Sequence, residues 1–120
     1  MPEKSLNLLN LGCGTTVHKK WINVDFASQL PNVNVMDVRK GLPFSPESID
    51  VCYTSHMLEH LVPMEAESLL KSVFVALKPG GVLRIATPDF ERITKEYLES
   101  LENAVKDDST TDNYDWMMIQ

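Results

Sequence analysis

The sequence predicts an α/β protein built on an open, parallel β-sheet. Three observations support this fold class: short apolar runs that end in glycine or a polar residue, two segments with helical periodicity, and strand–helix–strand order in the second half. Parallel neighbours require crossover connections, and helices usually supply them. A length of 120 residues suffices for one domain, so we expect a single domain over residues 1–120.

Five apolar runs have the length of buried strands, and each is followed by glycine or a polar side chain. The runs are residues 6–11, 21–24, 33–36, 49–53 and 82–86. In a parallel sheet, ligands bind beyond the carboxyl ends of the strands. The residues that follow the strands, among them Gly12, Asp25 and Asp37, are therefore expected to lie along one binding edge.

The longest helical pattern covers residues 63–78 and begins with proline, a residue suited to a first helical turn. Its apolar residues recur at helical spacing and predict one continuous buried face. That face comprises Ala66, Leu69, Leu70, Val73, Phe74 and Leu77. The run Pro79-Gly80-Gly81 is expected to end the helix and lead into the fifth strand.

A second helix is predicted to begin near Thr87, which would cap it, with Pro88 in the first turn. Its apolar face comprises Phe90, Ile93, Tyr97, Leu98 and Leu101. A shorter helical turn is predicted over residues 56–61. Residues 103–120 are expected to form a mobile C-terminal segment, because residues 107–113 are almost entirely polar.

The connections in the first half are too short to contain a crossover helix. Ten residues lie between Gly14 and Asp25, and the link from Asp25 to the third strand is equally short. Only a loop or a single turn fits in each connection. Part of one sheet face is therefore expected to be uncovered, unless another element or subunit packs on it.

Charge and cysteine content exclude several classes of function. The formal net charge is −6 and the basic residues are scattered, so nucleic acid and anionic membranes are not expected partners. The two cysteines cannot form a disulfide framework or a four-thiolate zinc site. The start of the chain is too polar for a signal peptide, and no apolar run would span a bilayer. We therefore expect a cytoplasmic protein.

Seven short motifs follow one another along the chain, and their order and spacing are informative as a set. They are Asn10-Leu11-Gly12-Cys13-Gly14-Thr15, Asn23-Val24-Asp25-Phe26, Val35-Met36-Asp37-Val38, Leu42-Pro43-Phe44, Ile49-Asp50-Val51, Leu58-Glu59-His60-Leu61 and Leu77-Lys78-Pro79-Gly80-Gly81. In this ordered set the chain resembles the class I S-adenosylmethionine-dependent methyltransferases, over residues 6 to about 92. The resemblance implies a Rossmann-like sheet with strand order 3-2-1-4-5 and S-adenosylmethionine as cofactor.

The resemblance also implies which residues contact the cofactor. They are Asn10, Gly12, Cys13, Gly14, Asp25, Phe26, Asp37, Val38 and Ser55. The glycine loop would lie against the methionine portion, and the Asn10 amide would bond its ammonium group. Gly12 and Gly14 suit this position because a residue without a Cβ lets the backbone turn sharply and approach a ligand.

The two aspartates would bind the nucleoside portion of the cofactor. The resemblance implies that Asp25 accepts hydrogen bonds from the ribose hydroxyls and Asp37 from the adenine amino group. Phe26 and Val38 would offer apolar surface to the rings. His56, beside Ser55 near the sulfonium, is the candidate general base, because an imidazole exchanges protons near neutral pH.

Each of these residues also has a simpler interpretation. The two glycines would equally serve a tight turn, and aspartates such as Asp25 and Asp37 cap turns on local grounds. Cys13 has the size to fill a tight loop. His56 could equally shape the pocket without transferring a proton.

Two other cofactor classes fit the motifs less well. A dinucleotide site needs a third glycine where Val17 stands, and an acidic residue about 20 positions on, whereas Asp25 follows Gly14 by 11. The run from His56 to His60 reads H-x-x-E-H, an inverted zinc-protease motif, and two histidines at i and i+4 share a helix face. The following helix offers Glu65 and Glu67 as alternatives for a third ligand, but neither stands in a clear constellation with the histidines, so we expect no metal.

The implied reaction is methyl transfer to a small-molecule or glycan-related acceptor. The family's core has seven strands, and this chain ends after the helix that follows the fifth, so the resemblance implies a fold lacking the last two strands. A noncatalytic cofactor-binding or protein-interaction module is therefore a second hypothesis beside an active enzyme. An unpaired fifth-strand edge favours a homodimer.

Overall fold

The computed structural model describes residues 5–106, which form five strands and two α-helices. The strands are β1 (Leu8–Leu11), β2 (Ile22–Asp25), β3 (Val33–Val35), β4 (Ile49–Ser55) and β5 (Leu77–Ala86). The helices are α1 (Pro63–Ala76) and α2 (Phe90–Lys106). Two 3₁₀ turns, Val38–Lys40 and Leu58–His60, follow β3 and β4. Neither helix has the length and apolar character needed to cross a membrane.

The described strands all pair in parallel, in the order β3-β2-β1-β4-β5, which confirms the predicted sheet. The central strand is β1, where Leu11 lies opposite Val24 of β2 on one side and Thr54 of β4 on the other. Because the strands share one direction, their carboxyl ends lie along one edge. That edge is where open parallel sheets bind ligands.

The core lies between the sheet and α1. Apolar side chains from both layers are almost completely removed from solvent, as expected for a close-packed interior. They include Leu9, Leu11, Val24, Cys52, Leu69, Val73 and Ala76. The three helical members stand at i, i+4 and i+7, which is one stripe of an α-helix.

The predicted buried face of α1 is wrong at Phe74, which it included, and at Ala76, which it left out. Phe74 is 80% exposed, and the buried stripe continues instead to Ala76. The helix also ends at Ala76, two residues before the predicted end, because Leu77 is extended and pairs with Ile49 as the first residue of β5. A strand partner across the sheet therefore overrides the local helical preference of Leu77 and Lys78.

The chain divides into two compact units, Met1–Thr87 and Pro88–Gln120, and α2 belongs to the second. The predicted cap of this helix is wrong, because Asp89 and not Thr87 accepts a bond from the Arg92 amide at 3.1 Å. Asp89 therefore has the N-cap role and the helix begins at Phe90. Residues 103–106 are helical, whereas the rest of the predicted mobile segment, 107–120, lies outside the described residues. The single-domain expectation stays a prediction.

The first half has short connections without an α-helix, as predicted. The loop after β1 contributes Trp21, whose ring meets Tyr53 edge-on at 6.5 Å between centroids. Beside this pair is a shallow depression of about 380 Å³, in which Val82 is 54% exposed. The expectation of a partly uncovered sheet face stays a prediction.

Two alanine substitutions on α1 test the observed helix face. Leu69→Ala should lower the free energy of unfolding by about 2–5 kcal/mol, because it leaves a cavity in the core. Phe74→Ala should change it by less than about 1 kcal/mol, because exposed positions contribute little. Urea unfolding followed by circular dichroism measures both. A larger loss for Phe74→Ala than for Leu69→Ala would contradict the described packing.

Candidate functional site

A cavity of about 500 Å³ opens at the carboxyl edge of the sheet. Its walls come from the loop after β1, the end of β2 and the residue that follows it, the residues after β3, and the segment after β4. They are Gly12, Gly14, Asp25, Phe26, Asp37, Val38, Arg39, His56, Met57, His60 and Leu61. The volume lies within the range of about 300–1,000 Å³ that is common for small-molecule sites.

The glycine loop makes a sharp turn directly after β1. The amides of Gly12 and Cys13 both donate to the Val24 carbonyl, at 2.8 and 3.0 Å. Gly12 has a φ of 71° and Gly14 a φ of 55°, a region that residues with a Cβ rarely adopt. A Cβ at Gly12 would lie 2.7 Å from the sulfur of Met57, whereas one at Gly14 would meet nothing within 4 Å. A side chain at Gly12 would therefore have to displace Met57, whereas Gly14 borders open space.

Asp25 joins the glycine loop to the end of β2. One carboxylate oxygen accepts the Gly14 amide at 2.7 Å, and the other accepts the Ala27 amide at 3.1 Å. An ionised carboxylate has roughly four acceptor positions, two on each oxygen. Each oxygen of Asp25 therefore keeps a position for a further donor, while the two backbone contacts hold the group in place.

Asp37, after β3, is bound much more completely. Its side chain caps the 3₁₀ turn by accepting the Arg39 amide at 3.0 Å, and it accepts Nε and Nη2 of the Arg39 guanidinium, both at 2.8 Å. These bonds lower the pKa of Asp37 below its ordinary value of 3.8 and keep the carboxylate ionised. The turn-capping interpretation of Asp37 is thus confirmed, and a role at the adenine stays a prediction.

Arg39 extends from Asp37 across the neighbouring wall of the cavity. Its guanidinium carbon lies 5.3 Å from the centre of the Phe26 ring, and Nη1 lies 3.9 Å from a carboxylate oxygen of Glu65 on α1. Glu65 also accepts the Val62 amide at the start of that helix. Arg39 therefore links the chain after β2, the chain after β3 and α1.

His56 stands at the mouth of the cavity in an uncommon backbone conformation. Its φ is 53°, and its amide donates to the Ala86 carbonyl at 2.9 Å. Glu59 lies between two imidazoles, with its Oε1 3.7 Å from Nδ1 of His56 and 3.9 Å from Nε2 of His60. Left-handed backbone at a residue other than glycine is often found at functional sites.

The predicted helical turn over residues 56–61 is confirmed, but it is shorter than predicted and of the 3₁₀ type. Only Leu58–His60 form a short 3₁₀ turn, so His56 and His60 are not on one face of an α-helix. Within residues 5–106, no group of three or more His, Cys, Asp or Glu residues is arranged to hold a metal ion. The geometric argument for a zinc protease is thereby removed.

Three of the predicted cofactor residues do not line the cavity. Asn10 is buried, and its amide nitrogen donates to the Thr16 carbonyl at 2.9 Å and to the Asn23 side chain at 3.0 Å. Cys13 is also buried, and desolvation together with the nearby Asp25 raises its thiol pKa. Ser55 is the last residue of β4. Contact of these residues with a cofactor stays a prediction.

Four cavity residues were not among the predicted cofactor or catalytic residues: Arg39, Met57, His60 and Leu61. Arg39 had a detectable local signal, because an aspartate two residues before a basic residue suits a capped turn. Met57 had none, since its contact with Gly12 joins segments from different strands. Such contacts depend on the tertiary arrangement and leave no local pattern.

The fold and the cavity together define a class of protein. An open parallel sheet in this order, with a glycine loop after β1, an aspartate at the end of β2 and another after β3, is the class I methyltransferase fold. A family model described as a methyltransferase domain matches residues 19–85, more than half of the chain. The chain belongs to this methyltransferase domain family.

Solved structures share the fold. One is an S-adenosylmethionine-dependent methyltransferase from Mesorhizobium loti, with 24% identity and a TM-score of 0.58, covering 72% of this chain and 48% of that one. Another is the DhpI-SAM-HEP complex, with 22% identity and a TM-score of 0.56, covering 74% of this chain and 50% of that one. The chain thus spans about half the length of each. No curated protein sequence matches it.

The two glycines of the loop should respond differently to alanine. Gly14→Ala should cost about 1–2 kcal/mol of unfolding free energy, the penalty of a Cβ in left-handed backbone. Gly12→Ala should cost about 1–3 kcal/mol more, because its Cβ also overlaps Met57. Urea unfolding compares them, and Met57→Ala should restore part of the additional loss. Equal losses at both positions would refute the Gly12–Met57 contact.

Proposed function

We propose that this protein transfers a methyl group from S-adenosylmethionine to a small-molecule or glycan-related acceptor. The observation that carries the proposal is the cavity itself. It brings the glycine loop, Asp25 and Asp37 together at the carboxyl edge of a sheet that belongs to the methyltransferase domain family. The compact first half, with its short connections, resembles a branch of the family that is often linked to cell-surface polysaccharide synthesis, and this supports the glycan-related acceptor.

The residues present fit this cofactor. Asp25 keeps one acceptor position on each oxygen, which suits the two hydroxyls of a ribose. Gly14 borders open space, so a ligand can approach its backbone. Phe26 is 62% exposed at the cavity wall and offers an apolar face to a planar ring. Polar anchors and an apolar surface are what a nucleoside requires.

The protein's main contribution would be to hold two reactants in line. When bound, S-adenosylmethionine supplies a sulfonium methyl group that an acceptor oxygen, nitrogen or carbon can attack. Asp25 and the glycine loop fix the position of the cofactor, and Met57 and Leu61 provide apolar walls that displace water. The acceptor atom forms a bond to the methyl carbon and loses its proton, and the bond from that carbon to sulfur breaks. The products are S-adenosylhomocysteine, the methylated acceptor and a proton.

His56 is the candidate acceptor of that proton. Its side chain is 62% exposed at the cavity mouth, with Nδ1 toward Glu59. This arrangement leaves Nε2 to take the proton that an acceptor hydroxyl releases as its oxygen bonds the methyl carbon. Glu59 would orient the ring, in the way that carboxylates commonly position catalytic histidines.

A noncatalytic role is the second candidate. The chain spans about half the length of the two solved structures described above. The proposed cofactor site uses the glycine loop, Asp25 and Asp37, whereas an acceptor would need a binding surface of its own. A protein that has the cofactor site and lacks an acceptor surface would bind the cofactor or a protein partner without transferring a methyl group.

Titration calorimetry with S-adenosylhomocysteine tests the cofactor site. We expect micromolar binding by the wild-type protein, weakened about tenfold or more by Asp25→Asn, because hydrogen bonds to a charged group contribute about 1.5–3 kcal/mol each. Glu67→Gln, a charge-removing change on the exposed side of α1, is the matched control and should bind like the wild type. If Asp25→Asn binds S-adenosylhomocysteine as tightly as Glu67→Gln does, Asp25 is not part of the cofactor site.

Transfer of tritium from S-[methyl-³H]adenosylmethionine to nucleotide sugars and oligosaccharides tests the reaction. His56→Asn should reduce the rate about 10²–10⁴-fold, the usual contribution of a general base. Asparagine tolerates left-handed backbone, so affinity for S-adenosylhomocysteine should change less than about threefold. An undiminished rate would remove His56 as the base. Binding without transfer to any of these acceptors would favour the noncatalytic role.

A further inference from the structure

Arg39 is held more firmly than an exposed arginine usually is. Two of its guanidinium nitrogens bond the two oxygens of Asp37, a third lies near Glu65, and its charge lies over the Phe26 ring. The side chain is nevertheless 45% exposed and lines the cavity. An arginine with contacts on three segments has little rotational freedom, so the carboxylate that it binds is also fixed in orientation.

Arg39 controls how much of Asp37 remains for a ligand. Oδ1 of Asp37 accepts both the Arg39 amide and Nε, and Oδ2 accepts Nη2. Of the roughly four acceptor positions on a carboxylate, one remains, and it is on Oδ2. Because Asp37 lines the cavity and is ionised, this single position can only receive a hydrogen-bond donor.

We propose that Arg39 is a positioning residue that turns Asp37 into a selective acceptor for the amino group of a purine ring in this cavity. The inference rests on the proposed function and extends it to a residue outside the predicted site. A ring with an amino group at this place satisfies Oδ2. A ring with an oxygen there brings two acceptors together, which leaves a desolvated polar group unpaired.

Arg39 acts through Asp37 and not by enclosing the ring itself. The distance from its guanidinium carbon to the Phe26 centroid is 5.3 Å. A planar ring between two such groups needs about 3.5 Å on each side, or about 7 Å in all. The space is too narrow for a ring to enter while Arg39 stays in place, so a bound purine uses other surface of the Phe26 wall.

The planar fork of arginine is essential to this arrangement. A guanidinium presents two parallel N–H groups that match both oxygens of a carboxylate, whereas the ammonium of lysine is a single point of charge. Arg39→Lys therefore keeps the charge and loses the simultaneous contact with Oδ1 and Oδ2. This variant separates an effect of orientation from an effect of net charge.

The experiment compares the affinities for S-adenosylhomocysteine and S-inosylhomocysteine, whose ring has an oxygen in place of the amino group. The wild-type protein should prefer the adenosyl compound by roughly tenfold to a hundredfold, the range for a hydrogen bond to a charged acceptor. In Arg39→Gln and Arg39→Lys this preference should fall at least about fivefold. Arg92→Gln, which breaks an exposed pair with Glu96 on α2, is the matched control and should keep the wild-type preference.

A double-mutant cycle separates positioning from a general structural effect. Asp37→Asn alone should also reduce the preference, because an amide presents a donor as well as an acceptor. On that background Arg39→Gln should reduce the preference no further, since its effect passes through the carboxylate. Independent, additive losses would overturn the inference. Circular dichroism verifies that each variant is folded. If Arg39→Gln does not fold, the cycle is measured with Arg39→Lys in its place, alone and together with Asp37→Asn.

The possible failures are distinguishable. If the wild-type protein binds neither compound, the proposed function is wrong and this inference falls with it. If it binds S-adenosylhomocysteine and the Arg39 variants keep the full preference for adenine, the proposed function stands and only the role of Arg39 is overturned. If Arg39→Lys keeps the preference for adenine and Arg39→Gln loses it, the positive charge of Arg39 and not its orienting contact explains the preference. That result would likewise overturn the inference.

Discussion

The parallel pairing of β1 with both of its neighbours is the constraint on which the rest of the structure depends. Because β2 and β4 run in the same direction as β1, the chain leaves all three strands at one edge. The glycine loop, Asp25 and His56 lie far apart along the sequence, yet they line the same cavity there. An antiparallel neighbour would send one of these segments to the opposite edge, and the cavity would lose a wall.

The connection between β1 and β2 is short and contains no α-helix. A normal crossover helix would cover the sheet and end in a loop of its own, whereas here a loop without an α-helix joins β1 to β2. The turn is possible because Gly12 and Cys13 both donate to one carbonyl of the neighbouring strand.

The two aspartates of the cavity show how identical side chains acquire different capacities. Asp25 is held by two backbone amides and keeps acceptor positions on both oxygens. Asp37 is nearly saturated by Arg39 and keeps one. A carboxylate with two free positions suits a pair of hydroxyls, and a carboxylate with one suits a single, directed donor. The difference arises from the neighbours of each group and not from its chemistry.

The sequence by itself predicted the strands and their polar ends, because strand periodicity, glycine and the residue that follows a strand are local features. The sheet order followed from the resemblance of the ordered motifs to the methyltransferases, and the observed pairing agrees with it. The sequence also placed Gly12, Gly14, Asp25, Phe26, Asp37, Val38 and His56 along one edge, and all of these line the cavity. Only the tertiary structure decided which face of α1 is buried, since Phe74 and Ala76 differ in their surroundings and not in their helical spacing. Only the tertiary structure brought Met57 against Gly12 and set Arg39 between Asp37, Phe26 and Glu65. Contacts of this kind join segments separated along the chain, and their geometry exists only once the sheet has formed.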